Sequence, residues 1–182
     1  MSMLAAPPGL PALAEGVLRR FRLDAAGLHG AAHWLRVRAN GLLLAARTPG
    51  ADAVVVELFA LFHDSERRDE GRDPGHGERA AALVRRLAAE GGLALSAERL
   101  DLLAAACAGH DHPQVSADPT IGCCWDADRL DLSRLGRRPI ARLLSTAAAL
   151  EAEVQAAAWE RGSGLVFDAE GARAWGVRLR RG

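Results

Sequence analysis

Asp52-Ala53-Val54-Val55-Val56-Glu57-Leu58-Phe59-Ala60-Leu61-Phe62-His63-Asp64 decides how this chain of 182 residues folds. Asp52 is a good N-cap, and the stretch from Ala53 to Phe62 carries a single charge, Glu57, so it reads as a helix that is apolar nearly all round. Such a helix has to sit in the middle of other elements. It runs into His63-Asp64, so two polar side chains start from a buried position. A buried carboxylate without a partner is costly, which leaves two ways to satisfy Asp64. One is an arginine such as Arg67 or Arg68; the other is a metal cation held by His63 and Asp64 together. The dipeptide alone does not choose between them.

Outward from this segment the helix signal persists. Ala and Leu dominate, β-branched residues are few, and alternating runs are missing. Helices are predicted from Pro11 to Phe21 and from Ala25 to Arg47, the second closed by Thr48-Pro49-Gly50. Ser65 to Gly75 is charged, carries Gly71, Pro74 and Gly75, and reads as a loop. Further helices are predicted from His76 to Glu90, stopped by Gly91-Gly92, and from a Ser96 cap to Gly109. A polar loop from His110 to Gly122 leads to a helix over Cys124–Leu135, and Pro139 opens one that reaches Arg161. In the tail, Gly162 to Gly182, Leu165-Val166-Phe167 is the one candidate for a short strand. The expected fold is all-α, a single-domain irregular helical bundle.

Composition narrows the functional classes. Apolar residues make up 49% of the chain, enough for a sizeable core, and the formal net charge is zero. That balance argues against binding a nucleic acid polymer through bulk electrostatics. Every basic residue is Arg, which with the Ala, Leu and Gly usage reads as biased composition rather than a phosphate-recognition device. Met1 to Ala14 is apolar, but Pro7, Pro8 and Pro11 interrupt it and no basic segment leads it, so it is a weak candidate for a signal peptide. No run approaches the roughly 20 apolar residues of a membrane span. Cys107, Cys123 and Cys124 are odd in number, two of them adjacent, without CxxC spacing; they read as small core residues of a cytoplasmic protein. Nothing in the sequence sets an oligomeric state.

Two further segments carry polar groups at telling positions. At helical spacing His29, His33, Arg36 and Asn40 share one face, opposite Leu28, Leu35, Leu42 and Ala46, with Val37 and Leu44 flanking the polar side. That strip suits a site inside a bundle or an ordinary surface. In Trp125-Asp126-Ala127-Asp128-Arg129-Leu130-Asp131-Leu132, Asp128 shares a face with Leu132 and Leu135, while Asp126 points elsewhere, as a cap would. Acids near a helix start also interact favourably with its dipole.

Taken in order, these residues resemble the HD superfamily of metal-dependent phosphohydrolases, over most of the chain from His29 to Asp131. His29-Gly30-Ala31-Ala32-His33-Trp34-Leu35-Arg36-Val37 is similar to the family's opening helix, His63-Asp64 to its naming doublet, and Asp128, followed by Arg129, to its final ligand. Similar in form from His63 to Gly77 are small bacterial HD-domain proteins. The resemblance implies an HD core over about residues 25–136 with a C-terminal helix and tail over 139–182, and metal ligands His33, His63, Asp64 and Asp128. Extra histidines between doublet and final Asp hold a second ion in some members. His76, His110 and His112 are available, but the adjacent His pair of those enzymes is missing, so one ion is the default expectation. Arg67 and Arg68 stand where nucleotidase members carry a Glu, a departure from that subgroup.

A mixed imidazole and carboxylate set suits a divalent ion, Mn²⁺, Fe²⁺, Co²⁺, Ni²⁺ or Mg²⁺. The resemblance implies hydrolysis of a phosphomonoester or phosphodiester in a small, nucleotide-like molecule. Asp64 or Asp128 would steer the attacking water, His76 and His110 would act as phosphate donors or a general acid, and Arg129 would contact a substrate phosphate. The alternatives are an iron-dependent oxygenase on the same scaffold, needing a completed second site, and a non-catalytic ligand-binding module.

Overall fold

Residues 9–164, 166 and 168–178 are described in the computed structural model. Among them the chain is all-helical: nine α-helices, two short 3-10 turns, and no strand. The central segment becomes α3 (Ala53–Phe62), with the Asp52 carboxylate accepting from the Val54 and Val55 amides. Every residue from Val55 to Phe62 is buried, because other helices pack around α3. α2 (Ala31–Ala45) lies against it closely at Gly41, where a Cβ would stand 2.5 Å from Val56 Cγ1. α4 (His76–Ala89) and α5 (Ala97–Gly109) form a hairpin on one side, and α6 (Pro119–Leu130) packs between α2 and α5. α1 (Leu10–Arg20) crosses the outside, burying Leu10, Ala14 and Val17.

The polar strip of α2 faces inward. His33 and Asn40 are fully buried together with Val37 and Leu44, whereas Leu28 is 51% exposed and Ala46 is exposed. The expected apolar stripe through Leu28 and Ala46 is therefore corrected: α2 is surrounded, and its polar side is its interior side. Asn40 donates to the Ala127 carbonyl at 3.1 Å and accepts from Arg161 Nε at 2.9 Å. Arg38 pairs with Glu57 on α3 at 2.7 Å, so the one charge of that helix is neutralised.

Three helix boundaries differ from expectation. α2 starts at Ala31, not Ala25, because Asp24 draws the preceding residues into turns: its carboxylate accepts from the Ala26 amide and its carbonyl from Gly27. α6 starts at Pro119, not Cys124, because the Asp118 side chain caps the Thr120 and Ile121 amides; beyond Leu130 the chain tightens to a 3-10 turn over Asp131–Leu135. The long helix expected from Pro139 to Arg161 is broken into a 3-10 turn (Ala141–Leu143), α7 (Ala147–Leu150) and α8 (Ala152–Gly162). The cause is Asp126. Its buried carboxylate accepts from the Ser145 and Thr146 amides and the Thr146 hydroxyl at 2.8–2.9 Å, holding that stretch out of helix. Asp126 is thus a clasp between segments, not a cap of its own helix.

α9 (Ala169–Ala174) closes the described chain, its Asp168 cap also accepting from Arg38 at 3.2 Å. The candidate strand falls on Leu165 and Phe167, which lie outside the described residues, as does the apolar start before Gly9; Val166 between them is in a bend. Cys107, Cys123 and Cys124 are buried and free, and burial pushes their thiols up. No helix among the described residues is long and apolar enough to cross a membrane.

Candidate metal centre

Six side chains converge where helix ends meet in the core. His33 lies in the first turn of α2, His63 and Asp64 directly follow α3, and His76 is the first residue of α4. His110 directly follows α5, and Asp128 sits in the last turn of α6. Two glycines make the α4 end possible. Gly75, at φ +80°, takes a left-handed conformation that turns the chain into α4. A Cβ on Gly77 would stand 2.4 Å from the Cys107 carbonyl oxygen and 3.2 Å from His110 Nδ1, so only glycine lets α4 and α5 bring His76 to His110.

Asp64 is the pivot. Its Oδ2 lies 3.4 Å from His33 Nε2 and 3.6 Å from His63 Nε2; its Oδ1 lies 3.2 Å from His76 Nε2 and 3.5 Å from His110 Nε2. Asp128 Oδ1 joins the first pair, 3.4 Å from His33 Nε2 and 3.9 Å from His63 Nε2. One carboxylate thus serves two clusters, His33/His63/Asp64/Asp128 and Asp64/His76/His110. Each contains three buried groups whose ligand atoms lie within 4.8 Å of one another. The four residues expected as ligands are brought together, and a second His pair stands beside them. Asp128 is the most open, its side chain 23% exposed.

The outer nitrogens decide what the inner ones can do. His33 Nδ1 faces an Asp131 carboxylate oxygen at 2.7 Å, and His63 Nδ1 the Phe59 and Ala60 carbonyls at 3.2 Å. His76 Nδ1 faces the Asp73 carbonyl at 2.7 Å, and His110 Nδ1 the Cys107 carbonyl at 2.8 Å. All are pure acceptors, so each Nδ1 carries the hydrogen and each neutral ring turns an Nε2 lone pair inward. Those lone pairs meet head-on: His33 Nε2 is 3.0 Å from His63 Nε2, and His76 Nε2 is 2.9 Å from His110 Nε2. Only a proton or a cation can sit between such pairs. A divalent ion ~2.1 Å from two nitrogens, with its bonds at a right angle, sets them ~3.0 Å apart. Spacing, tautomers and donor set all fit a metal ion.

Without a cation, protons have to take its place. Burial alone would lower His33, but Asp128, Asp131 and Asp64 outweigh it and hold its pKa at about 10. Burial drives His63 down to about 3 against the pull of Asp64 and Asp128, so it stays neutral. Burial would also raise Asp64 and Asp128; the surrounding imidazoles overcome it and keep both carboxylates well below their usual range. Two ionised carboxylates among four imidazoles draw positive charge, part of which Arg67 supplies beside Asp64.

Other expected residues lie elsewhere. Arg129 donates to the Leu143, His112 and Gln114 carbonyls at 2.5–2.9 Å, which ties two loops to α6. His112 is 55% exposed and near Asp111, outside both clusters. His29 pairs with Glu70 at 2.5 Å, linking the segment before α2 to the loop after α3. Arg67 partners Asp64 as one of the two sequence readings anticipated, with Nη1 3.4 Å from Oδ1 and 3.1 Å from His76 Nε2. Asp131 is the residue that sequence reasoning missed. It is fully buried, accepts from His33 Nδ1, and is held by Arg36 at 2.7 and 3.1 Å. Its spacing from Asp128 and the Arg36 that follows His33 by three residues were the available signals.

No protein-family model matches the chain, and neither a curated protein nor a solved structure is similar to it at a significant level.

Proposed function

We propose that this chain is a metal-dependent phosphohydrolase of the HD type, built around two cation sites that share Asp64, acting on a small phosphomonoester or phosphodiester. The observation that carries the reading is the division of the Asp64 carboxylate, each oxygen directed at its own pair of imidazole nitrogens. Divalent ions in such sites acidify a bound water and offset negative charge on a phosphoryl oxygen.

The chain's own groups would do the rest. Asp131 keeps the His33 lone pair aimed inward by accepting its Nδ1–H, and the Phe59, Ala60, Asp73 and Cys107 carbonyls do the same for the other rings. Asp128, partly open to solvent, lies where an attacking water would enter; its Oδ1 faces the histidines, which leaves Oδ2 to accept the water's proton. Arg67 is the one arginine paired with Asp64 among the described residues, and the Asp69 and Gly71 carbonyls fix its guanidinium. Its contacts with Asp64 and His76 make it, rather than Arg129, the arginine placed for a substrate phosphate contact. His76 and His110 become ligands of the second ion rather than a free acid. The substrate is small and no polymer is expected, because the site is deep and the chain carries no net charge.

The test is a phosphatase and phosphodiesterase panel on purified protein loaded in turn with Mn²⁺, Fe²⁺, Co²⁺, Ni²⁺ and Mg²⁺. Metal-dependent turnover that disappears in Asp64→Ala supports the proposal; a fully loaded protein inert toward every phosphoester refutes it. The second cluster also meets the requirement of the oxygenase alternative, a completed pair of sites. Oxygen uptake by iron-loaded protein with substrate, and no phosphate release, would favour that chemistry instead.

A further inference from the structure

Away from the histidines, α1 spans a cavity of about 720 Å³, within the size range of small-molecule sites. Leu13 and Val17 of α1, Leu58 of α3, Leu87 of α4, and Leu93 and Leu95 before α5 supply its apolar walls. Leu58 is fully buried and Leu93 nearly so, while Ala12, Arg19, Arg20 and Ala94 are exposed, so an apolar floor opens to solvent along α1. The space exists because α1 turns Ala12 and Gly16 toward it. A Cβ built on Gly16 meets nothing nearer than Arg19 Nη2 at 4.0 Å.

Charge marks one end. Arg19 and Arg20, in the last turn of α1, line the cavity, and among the described residues no acidic side chain does. Arg19 also pairs with Glu15 at 2.5 Å, both side chains being largely exposed. The chain as a whole is neutral, so a positive lining is a local property. From Gly9 to Arg20 the helix rises ~16 Å, so the apolar wall is long and its cationic end is single. A ligand that matches both features has an unbranched aliphatic body and one anionic head.

We propose that this cavity binds a medium-chain acyl carboxylate, its tail among the leucines and its headgroup at Arg19 and Arg20. The site is independent of the metal cluster and of whatever reaction occurs there.

Calorimetric titration of the full chain with decanoate and with decanol tests it. Wild-type protein is expected to bind decanoate at least tenfold more tightly than decanol. Gly16→Leu fills the cavity while improving helix propensity, so circular dichroism and metal content should be unchanged and decanoate affinity should fall at least tenfold. The Arg19→Ala/Arg20→Ala double variant should bind the acid and the alcohol alike. The proposal is overturned by equal affinity for decanol in wild-type protein, by unchanged binding in Gly16→Leu, or by no decanoate binding at all. Binding that emerges only after deletion of residues 1–8 would assign the cavity to the chain's own start. Binding to anionic vesicles without binding of the monomeric acid would assign the face to a membrane surface; either result removes the proposed ligand.

Discussion

Asp131 reaches neither proposed cation position, yet it accepts the His33 Nδ1–H at 2.7 Å and so determines which way that ring presents its lone pair. Replacing it with Asn exchanges a pure acceptor for a group that can also donate, and the wrong tautomer becomes available. Asp131→Asn should weaken the first site about 10- to 100-fold while sparing the second, read by chelator competition. Equal weakening of both sites, or none, would show that Asp131 does not act through His33. Proton linkage belongs to the same scale. His33 keeps its proton up to a pH of about 10 in the metal-free protein, so a cation arriving near pH 7 must displace it. Apparent metal affinity should therefore rise with pH across the neutral range, and the heat of binding should depend on the buffer's ionisation enthalpy. The residues that cluster were legible in sequence as His and Asp at helix ends; Asp131 was not, since its role depends on a contact to a residue 98 positions earlier.

At the scale of elements, two contacts decide what local propensity cannot. Gly77 sets the approach of α4 to α5. Gly77→Ala places a methyl 2.4 Å from the Cys107 carbonyl oxygen, so the helices must separate. The expected outcome is loss of the second ion with retention of the first, at a stability cost of about 1–3 kcal/mol, measured by metal analysis and urea unfolding. Asp126 is the second contact. The Ala-rich run from Ala147 to Ala149 has the propensity of a long helix, but the Ser145 and Thr146 amides are bound by a carboxylate 19 and 20 residues away. Asp126→Ala would leave the buried Thr146 amide and the partly buried Ser145 amide unpaired, costing about 3 kcal/mol. The same logic accounts for the helix starts: Asp118 and Asp24 engage backbone amides that periodicity alone assigns differently. The buried helix from Ala53 to Phe62 was legible because no amphipathic alternative competes with it.

For the whole molecule, the cluster joins α2, α3, α4, α5 and α6, so its electrostatic balance bears on global stability. A cation that binds only the folded chain adds about 2.7 kcal/mol when present at 100 times its Kd. For a chain of this size that corresponds to roughly 5–10 °C in Tm, so removing metal with a chelator should lower the melting temperature by that amount and re-addition should restore it. The proposed centre stands on two ions sharing one carboxylate, and anomalous scattering at the manganese edge from crystals grown with Mn²⁺ tests this most directly. Two peaks are expected on either side of Asp64, one within reach of His33, His63 and Asp128 and the other within reach of His76 and His110. A single peak, or none beside Asp64, would contradict the shared-carboxylate centre.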